Sequence, residues 1–251
     1  SGGTDFFLGD RLFAHRMHAW LSCSHFNAWQ LASRYGRFPT VIFNGVDTAL
    51  FTPNDNSPAM RSQLGISPDT VAFAYAGRLV GWKGLDFVLR ALAHPRLAAC
   101  KPHFFIAGDG AERGALQSLA RTLQIESRVH FLGALSHRQL PDFYRAMDAG
   151  IFPSIADEAF GITIAEAMSC GKPVIASYIG GIPEVVGNEG NCGFLVPHRD
   201  VEALALRMAE LASDLNLRSA MGRAARARIV RDFTWQQSAA RLEAALELGP
   251  T

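Results

Sequence analysis

From about residue 70 onward, short runs of β-branched or apolar residues alternate with longer segments whose apolar positions recur at three and four, and Gly, Pro or Ser marks each change of period. The runs 70–76, 103–107, 128–132, 149–153, 173–176 and 193–196 are too short and too continuously apolar to sit half in water. They predict strands buried on both faces. Between them, 85–93, 111–123, 136–147, 163–170 and 201–211 predict amphipathic helices, the last placing Leu204, Met208 and Leu211 on one face. Such alternation predicts an α/β fold with a parallel sheet flanked by helices. Ser136 followed three later by Gln139 has the form of a capping box, and Gly171 with Pro173 beyond it that of a helix stop. Two Ala- and Arg-rich helices, 217–230 and 234–248, close the chain; Arg218, Arg223, Arg226, Arg228 and Arg231 are spread around the first, which predicts a solvated surface rather than a binding face.

The first fifty residues make a unit of their own, with strands at 21–24 and 40–43, a helix at 26–35 and a Pro-containing linker running through Pro58. Two strands have exposed edges and too little core to stand alone, so this piece either joins the main sheet or belongs to a further body.

Composition narrows the classes. The 251 residues suffice for one large domain, or one medium domain and a fragment. Hydrophobic residues at 49% and charged residues at 19% fit a globular chain, and a net charge of +1 gives no pull toward nucleic acid. Cys23, Cys100, Cys170 and Cys192 lie far apart, which suggests neither a zinc site nor a redox dithiol and favours reduced thiols. With no apolar run of the ~18–20 residues that a membrane span needs, and no basic-then-apolar leader, the expected location is the cytoplasm or the inner face of a membrane.

In open parallel sheets ligands bind beyond the carboxyl ends of the strands, so the loops there carry the candidate chemistry. In Gly77-Arg78-Leu79-Val80-Gly81-Trp82-Lys83-Gly84 the glycines let backbone approach a ligand while Arg78 and Lys83 offer a planar fork and a point charge to phosphate oxygens; the alternative is two solvent-facing cations on a turn. Gly108-Asp109-Gly110 reads as a close approach or as a plain turn, and Leu132-Gly133 as backbone for a planar base. The loop from Ser154 to Glu166 says most. Gly161, Ile162 and Thr163 stand at a helix start, where free N–H groups and the dipole favour a diphosphate, while Glu158 and Glu166 each suit a pair of sugar hydroxyls. For Glu166 a second reading stays open, since Thr163-x-x-Glu166 also spells a capping box. Gly180-Gly181 precedes Ile182-Pro183-Glu184, where a short helix can begin.

Taken in order, Asn44-Gly45-Val46-Asp47, Gly77-Arg78-Leu79 with Lys83-Gly84, Gly108-Asp109-Gly110, Phe131-Leu132-Gly133, Pro153-Ser154, the stretch from Glu158 to Met168, and Gly171-Lys172-Pro173-Val174 with Gly180-Gly181 strongly resemble the retaining GT-B glycosyltransferases of family 4, over about residues 19 to 248. The resemblance implies a Rossmann-like domain forming the C-terminal half of a GT-B fold. It implies that Arg78 and Lys83 contact the donor diphosphate, that Glu158 faces the transferred sugar and Glu166 the ribose, and that Gly77, Gly108, Leu132, Gly133, Gly161, Ile162 and Thr163 line the donor site. The donor is then a UDP- or GDP-hexose, no cofactor is needed, and the acceptor is a glycan or a lipid-linked sugar. The chain contains no DxD, so no metal is expected at the diphosphate. Residues 1–46 match the end of an acceptor-binding domain and 47–251 the nucleotide-sugar domain, so the rest of the acceptor half is expected on a longer protein or on a partner chain. Two other classes stay in view: a non-catalytic nucleotide-sugar module or half of a split enzyme, and a phosphorylase or epimerase on the same fold, though no lysine suited to pyridoxal phosphate is identified.

Overall fold

The computed structural model describes residue 17, residues 19–54 and residues 57–247. The first sixteen residues and residue 18 of the expected 1–46 unit, two residues of the expected linker and the last residue of the expected 234–248 helix lie outside these.

Near the start, β1 (Leu21–Ser22), α1 (His25–Tyr35) and β2 (Thr40–Val41) form a unit whose two strands pair in parallel, Leu21 with Thr40 and Ser22 with Val41. It does not join the main sheet. Glu184, which lies far along the chain, accepts from the backbone N–H of His25 at 2.8 Å and of Phe26 at 2.7 Å, so its charge sits at the positive end of α1 beside the Ser24 cap. Gln30 donates to Asp157 at 2.9 Å, and Phe43 packs on Phe160 and Phe233.

After α2 (Ser57–Gln63) the alternation begins: β3 (Ala72–Ala76), α3 (Leu85–Leu92), β4 (His103–Ala107), α4 (Arg113–Thr122), β5 (Val129–Gly133), α5 (Leu140–Ala146), β6 (Ala149–Phe152), α6 (Ile162–Ser169), β7 (Val174–Ser177), α7 (Ile182–Val186) and β8 (Gly193–Val196), followed by α8 (Val201–Ser213), α9 (Leu215–Asp232) and α10 (Trp235–Glu247). The six strands β3 to β8 form one parallel sheet in the order β5-β4-β3-β6-β7-β8. Every residue of β3, β6 and β7 is buried, as unbroken apolar runs require when helices cover both faces. The order runs outward in both directions from the β3/β6 pair. Loops leaving these two strands therefore turn to opposite faces and open a crevice between them.

Two expectations are corrected. The helix expected from Ser136 starts at Leu140, because Gln139 Oε1 accepts from both the N–H (2.9 Å) and the hydroxyl (2.8 Å) of Ser136 and closes a turn ahead of it. The arginines of α9 are not all solvated: Arg226 donates to the carbonyls of Phe51, Ser169 and Thr48, Arg228 to those of Val185 and Glu184, and Arg218 to those of Leu211 and Ala212. They satisfy carbonyls in loops and at a helix end that have no strand or helix partner.

Candidate functional site

The crevice between β3 and β6 holds a cavity of about 220 Å3. From the β3 side it is lined by Tyr75, Gly77, Arg78 and Lys83, and from the β6 side by Ser154, Glu158 and Gly161, Ile162 and Thr163 of the α6 start. Backbone contact draws the two loops together. Ile155 N–H donates to the Trp82 carbonyl at 2.8 Å, and Gly84, in the left-handed region at φ 66°, lies where a Cβ would fall 2.3 Å from the Pro153 carbonyl oxygen. Lys83 closes the short 3-10 turn Gly81–Lys83 ahead of that glycine, and its ammonium donates to Glu158 Oε1. Ser154 Oγ donates to the same oxygen at 3.0 Å. The Arg78 guanidinium lies 5.3 Å from the centre of the Trp82 ring, and its carbonyl accepts from the Tyr75 hydroxyl at 3.0 Å. Burial, with the charge of Glu158 behind it, pushes the Tyr75 hydroxyl well above the ordinary phenol range, so it stays a neutral donor.

On the opposite wall, Gly161 caps α6 at φ 96° without any side-chain hydrogen bond, and the helix beyond it is buried from Ile164 through Ser169. Its first N–H groups thus point at the cavity that Lys83 and Arg78 face. The capping reading of Thr163 and Glu166 does not hold, since the helix begins at Ile162 and the Thr163 carbonyl accepts from the Tyr144 hydroxyl at 3.1 Å. Glu166 instead lies deep, 6% exposed, with His137 Nε2 at 3.3 Å from Oε1 and no partner for Oε2. Burial pushes its carboxyl up to about 7, and His137 opposes that rise.

Of the expected residues, Arg78, Lys83, Glu158, Gly77, Gly161, Ile162 and Thr163 meet around one cavity. Gly108 and Gly133 adjoin it along the strand ends: Gly77 N–H donates to the Ala107 carbonyl at 3.0 Å, Gly108 N–H to the Gly133 carbonyl at 2.7 Å, and a Cβ on Gly108 would overlap the Gly77 carbonyl. Leu132 is half-buried against the core, and neither it nor Glu166 is among the residues that line the cavity. Ser154, Tyr75 and His137 were not singled out beforehand. Ser154 and Tyr75 were within reach, one in a quoted motif and the other at a strand end. His137 gave no signal, because its meeting with Glu166 depends on how the turn before α5 packs on α6. Roomier cavities, such as one of about 680 Å3 beside α9, lie away from the switch point of the sheet.

One prediction follows from Glu166. A carboxyl raised in the folded state keeps its proton longer than in the unfolded chain, so stability is lost as pH climbs from about 4.5 to about 7 and stays lost above that. Glu166→Gln removes the charge and is expected to stabilise the protein at alkaline pH, on the order of 2–3 kcal/mol, with little effect near pH 4. Urea titrations of both proteins at the two pH values measure this; a difference independent of pH would contradict it.

A parallel α/β sheet with a charged cavity at its switch point has the form in which open α/β domains bind ligands. The family model described as "Glycosyl transferases group 1" matches residues 56–228, and the chain belongs to that family. It is 32% identical over 226 residues to the D-inositol 3-phosphate glycosyltransferase of Streptomyces bingchenggensis, covering 84% of this chain and 48% of that protein. It is likewise 32% identical over 239 residues to the GDP-mannose-dependent monoacylated alpha-(1-6)-phosphatidylinositol monomannoside mannosyltransferase of Corynebacterium glutamicum, covering 90% and 61%. The chain therefore spans about half to three-fifths of the length of these relatives. Among solved structures, Anabaena HepE in complex with UDP and glucose superposes with a TM-score of 0.81 at 28% identity, over 90% of this chain and 62% of that one. The GT-B relationship and the Rossmann-like sheet expected from the sequence both hold. Among the described residues, no helix is long and apolar enough to cross a membrane.

Proposed function

We propose that this chain is the donor-binding half of a retaining hexosyltransferase that takes its sugar from a nucleoside diphosphate. The observation that carries the reading is the convergence of Lys83, Arg78 and the uncapped start of α6 on one cavity, with Glu158 held at its side. When the bond between sugar and phosphate breaks, the diphosphate gains negative charge and the anomeric carbon becomes cationic. Donors already fixed in place stabilise that charge without reorganising, which is where such sites gain most of their rate. These groups fill the part a metal ion would otherwise take, so no cofactor is assigned. Glu158 accepts hydroxyls of the transferred sugar, and Glu166 those of the ribose. Gly77, Gly108 and Gly133 let the nucleotide lie against backbone, and the backbone at Leu132 meets the base. The relatives' names and the HepE complex make a GDP or UDP donor the first to try, with a glycan or lipid-linked acceptor held by residues 1–46 together with a further domain or partner chain. The protein would work in the cytoplasm or at a membrane's inner face.

Calorimetric titration with UDP, GDP, ADP and their hexose conjugates tests the reading. Saturable binding of one nucleotide, tighter for the diphosphate than for the nucleoside, is expected. Failure of all of them to bind a folded sample would remove it. Because the chain spans only part of its relatives, a binding module without turnover is the second reading. Release of nucleoside diphosphate from the bound donor separates the two.

A further inference from the structure

Glu166 is costly where it stands. The residue is 6% exposed, the protein offers Oε2 no donor, and Oε1 has only the imidazole of His137, 3.3 Å away. An unsatisfied buried carboxylate oxygen is destabilising, and such groups persist where a site is completed by something else. The titratable groups that sense Glu166 are His137, Tyr144 on α5 and Cys170 at the end of α6. Tyr144 spends its hydroxyl proton on the Thr163 carbonyl, and a buried thiol supplies no positive charge. Arg145, Lys172 and Arg226 act on Cys170, and their donors go to the carbonyls of Leu50, Thr52, Arg145, Phe51 and Ser169. His137 is thus the side chain that faces this carboxylate and, when its ring is protonated, opposes the effect of burial. Its side chain is 62% exposed, yet the ring is steadied edge-on against buried Phe51, with centroids 5.1 Å apart at 67°.

We propose that His137 is a positioning residue for donor binding: its imidazole, set against Phe51 and 3.3 Å from Oε1, holds the Glu166 carboxylate aimed for the ribose hydroxyls, so that donor affinity depends on the side chain at residue 137. The inference rests on the assignment of Glu166 to the ribose. Because the Glu166 carboxyl lies near 7, affinity is gained as pH rises through that value and the carboxylate forms. Replacing the imidazole removes what opposes desolvation and moves the gain to higher pH.

The test is calorimetry of UDP, GDP and ADP, each beside its 2′,3′-dideoxy counterpart, from about pH 5.5 to about pH 8.5, which brackets the value near 7 to which burial pushes the Glu166 carboxyl. For the ribonucleotide that binds, His137→Gln, which keeps an N–H donor but no charge, is expected to shift the affinity midpoint up by about one pH unit and to weaken binding at neutral pH up to about tenfold. His137→Arg should restore the midpoint, a rescue that a merely space-filling role would not give. The dideoxy compound should respond to neither variant. If the ribose and dideoxy forms bind alike, the Glu166 assignment falls and this inference falls with it. If they differ but His137→Gln leaves the midpoint where it was, His137 does not act on Glu166, and the donor site stands without it.

Discussion

Lys83→Ala is expected to weaken nucleoside diphosphate binding by about 10- to 100-fold while leaving binding of the bare nucleoside within about twofold. A hydrogen bond to a charged group is worth about 1.5–3 kcal/mol when the site is partly desolvated, and about 1.4 kcal/mol corresponds to a factor of ten in affinity. Lys83 qualifies because its side chain is only 19% exposed, inside the crevice. Its present partner is Glu158, so the ammonium must be shared between that carboxylate and the phosphate oxygens when the donor arrives. Removing it leaves Glu158 with the Ser154 hydroxyl and some access to water, which keeps the stability cost to about 1 kcal/mol or less. Calorimetry with UDP or GDP, set against uridine or guanosine, reads the contrast directly. Equal losses for nucleotide and nucleoside would mean that Lys83 shapes the pocket rather than binding phosphate. Lys83→Arg makes a useful companion: it keeps the charge but cannot reproduce a point contact with the same reach, so an intermediate loss is expected.

Most of the sheet was legible because its strands are buried on both faces and so read as unbroken apolar runs. The spans 103–107 and 193–196 coincide with β4 and β8, and the others differ by a residue or two at the ends, where pairing with neighbours rather than composition decides. The same logic made the site legible in part, since Arg78 and Lys83 follow one central strand and Glu158 and Gly161 the other, and the reversal of strand order brings those loops to one crevice. What stayed hidden depends on contacts between segments far apart in sequence. Glu166 carried two local meanings that periodicity could not separate, and only the placement of Gly161 as the helix cap removed one of them. Arg226 and Arg228 looked solvated because a helical wheel shows which way a residue points but not which unsatisfied carbonyls wait there. The β1-α1-β2 unit was recognised, but its docking through Glu184 and Gln30 was not, because a helix start capped by a residue about 160 positions away leaves no local pattern.

Gly180→Ala is expected to lower stability by about 2–4 kcal/mol and to reduce donor affinity at least tenfold, although residue 180 is not itself among the residues that line the charged cavity. Gly180 adopts φ +61°, and a Cβ there would fall 2.3 Å from the backbone oxygen and 2.7 Å from the backbone nitrogen of Glu158. Next to it, Gly181 donates its N–H to that same oxygen at 2.7 Å, and its own Cβ would lie 2.4 Å from the Ala159 carbonyl oxygen. The glycine pair therefore forms the surface on which the Glu158 loop rests, which gives this sequence motif a physical role in the site. A left-handed conformation costs a residue with a side chain roughly 1–2 kcal/mol, and overpacking against backbone adds about 1–3 kcal/mol because backbone cannot swing aside. Relief comes from moving the loop, and a displacement of about 1 Å at a reacting group can cost about a hundredfold in rate. Gly65→Ala separates the two contributions. Gly65 has nearly the same conformation, φ +67°, with nothing within 4 Å of its would-be Cβ, so that variant carries the strain without the clash. Thermal melts and donor titrations of both should show a modest loss of stability with intact donor affinity for Gly65→Ala, and the larger loss of both for Gly180→Ala. Were the two variants to melt alike and bind donor alike, contact with Gly180 would not be what places Glu158.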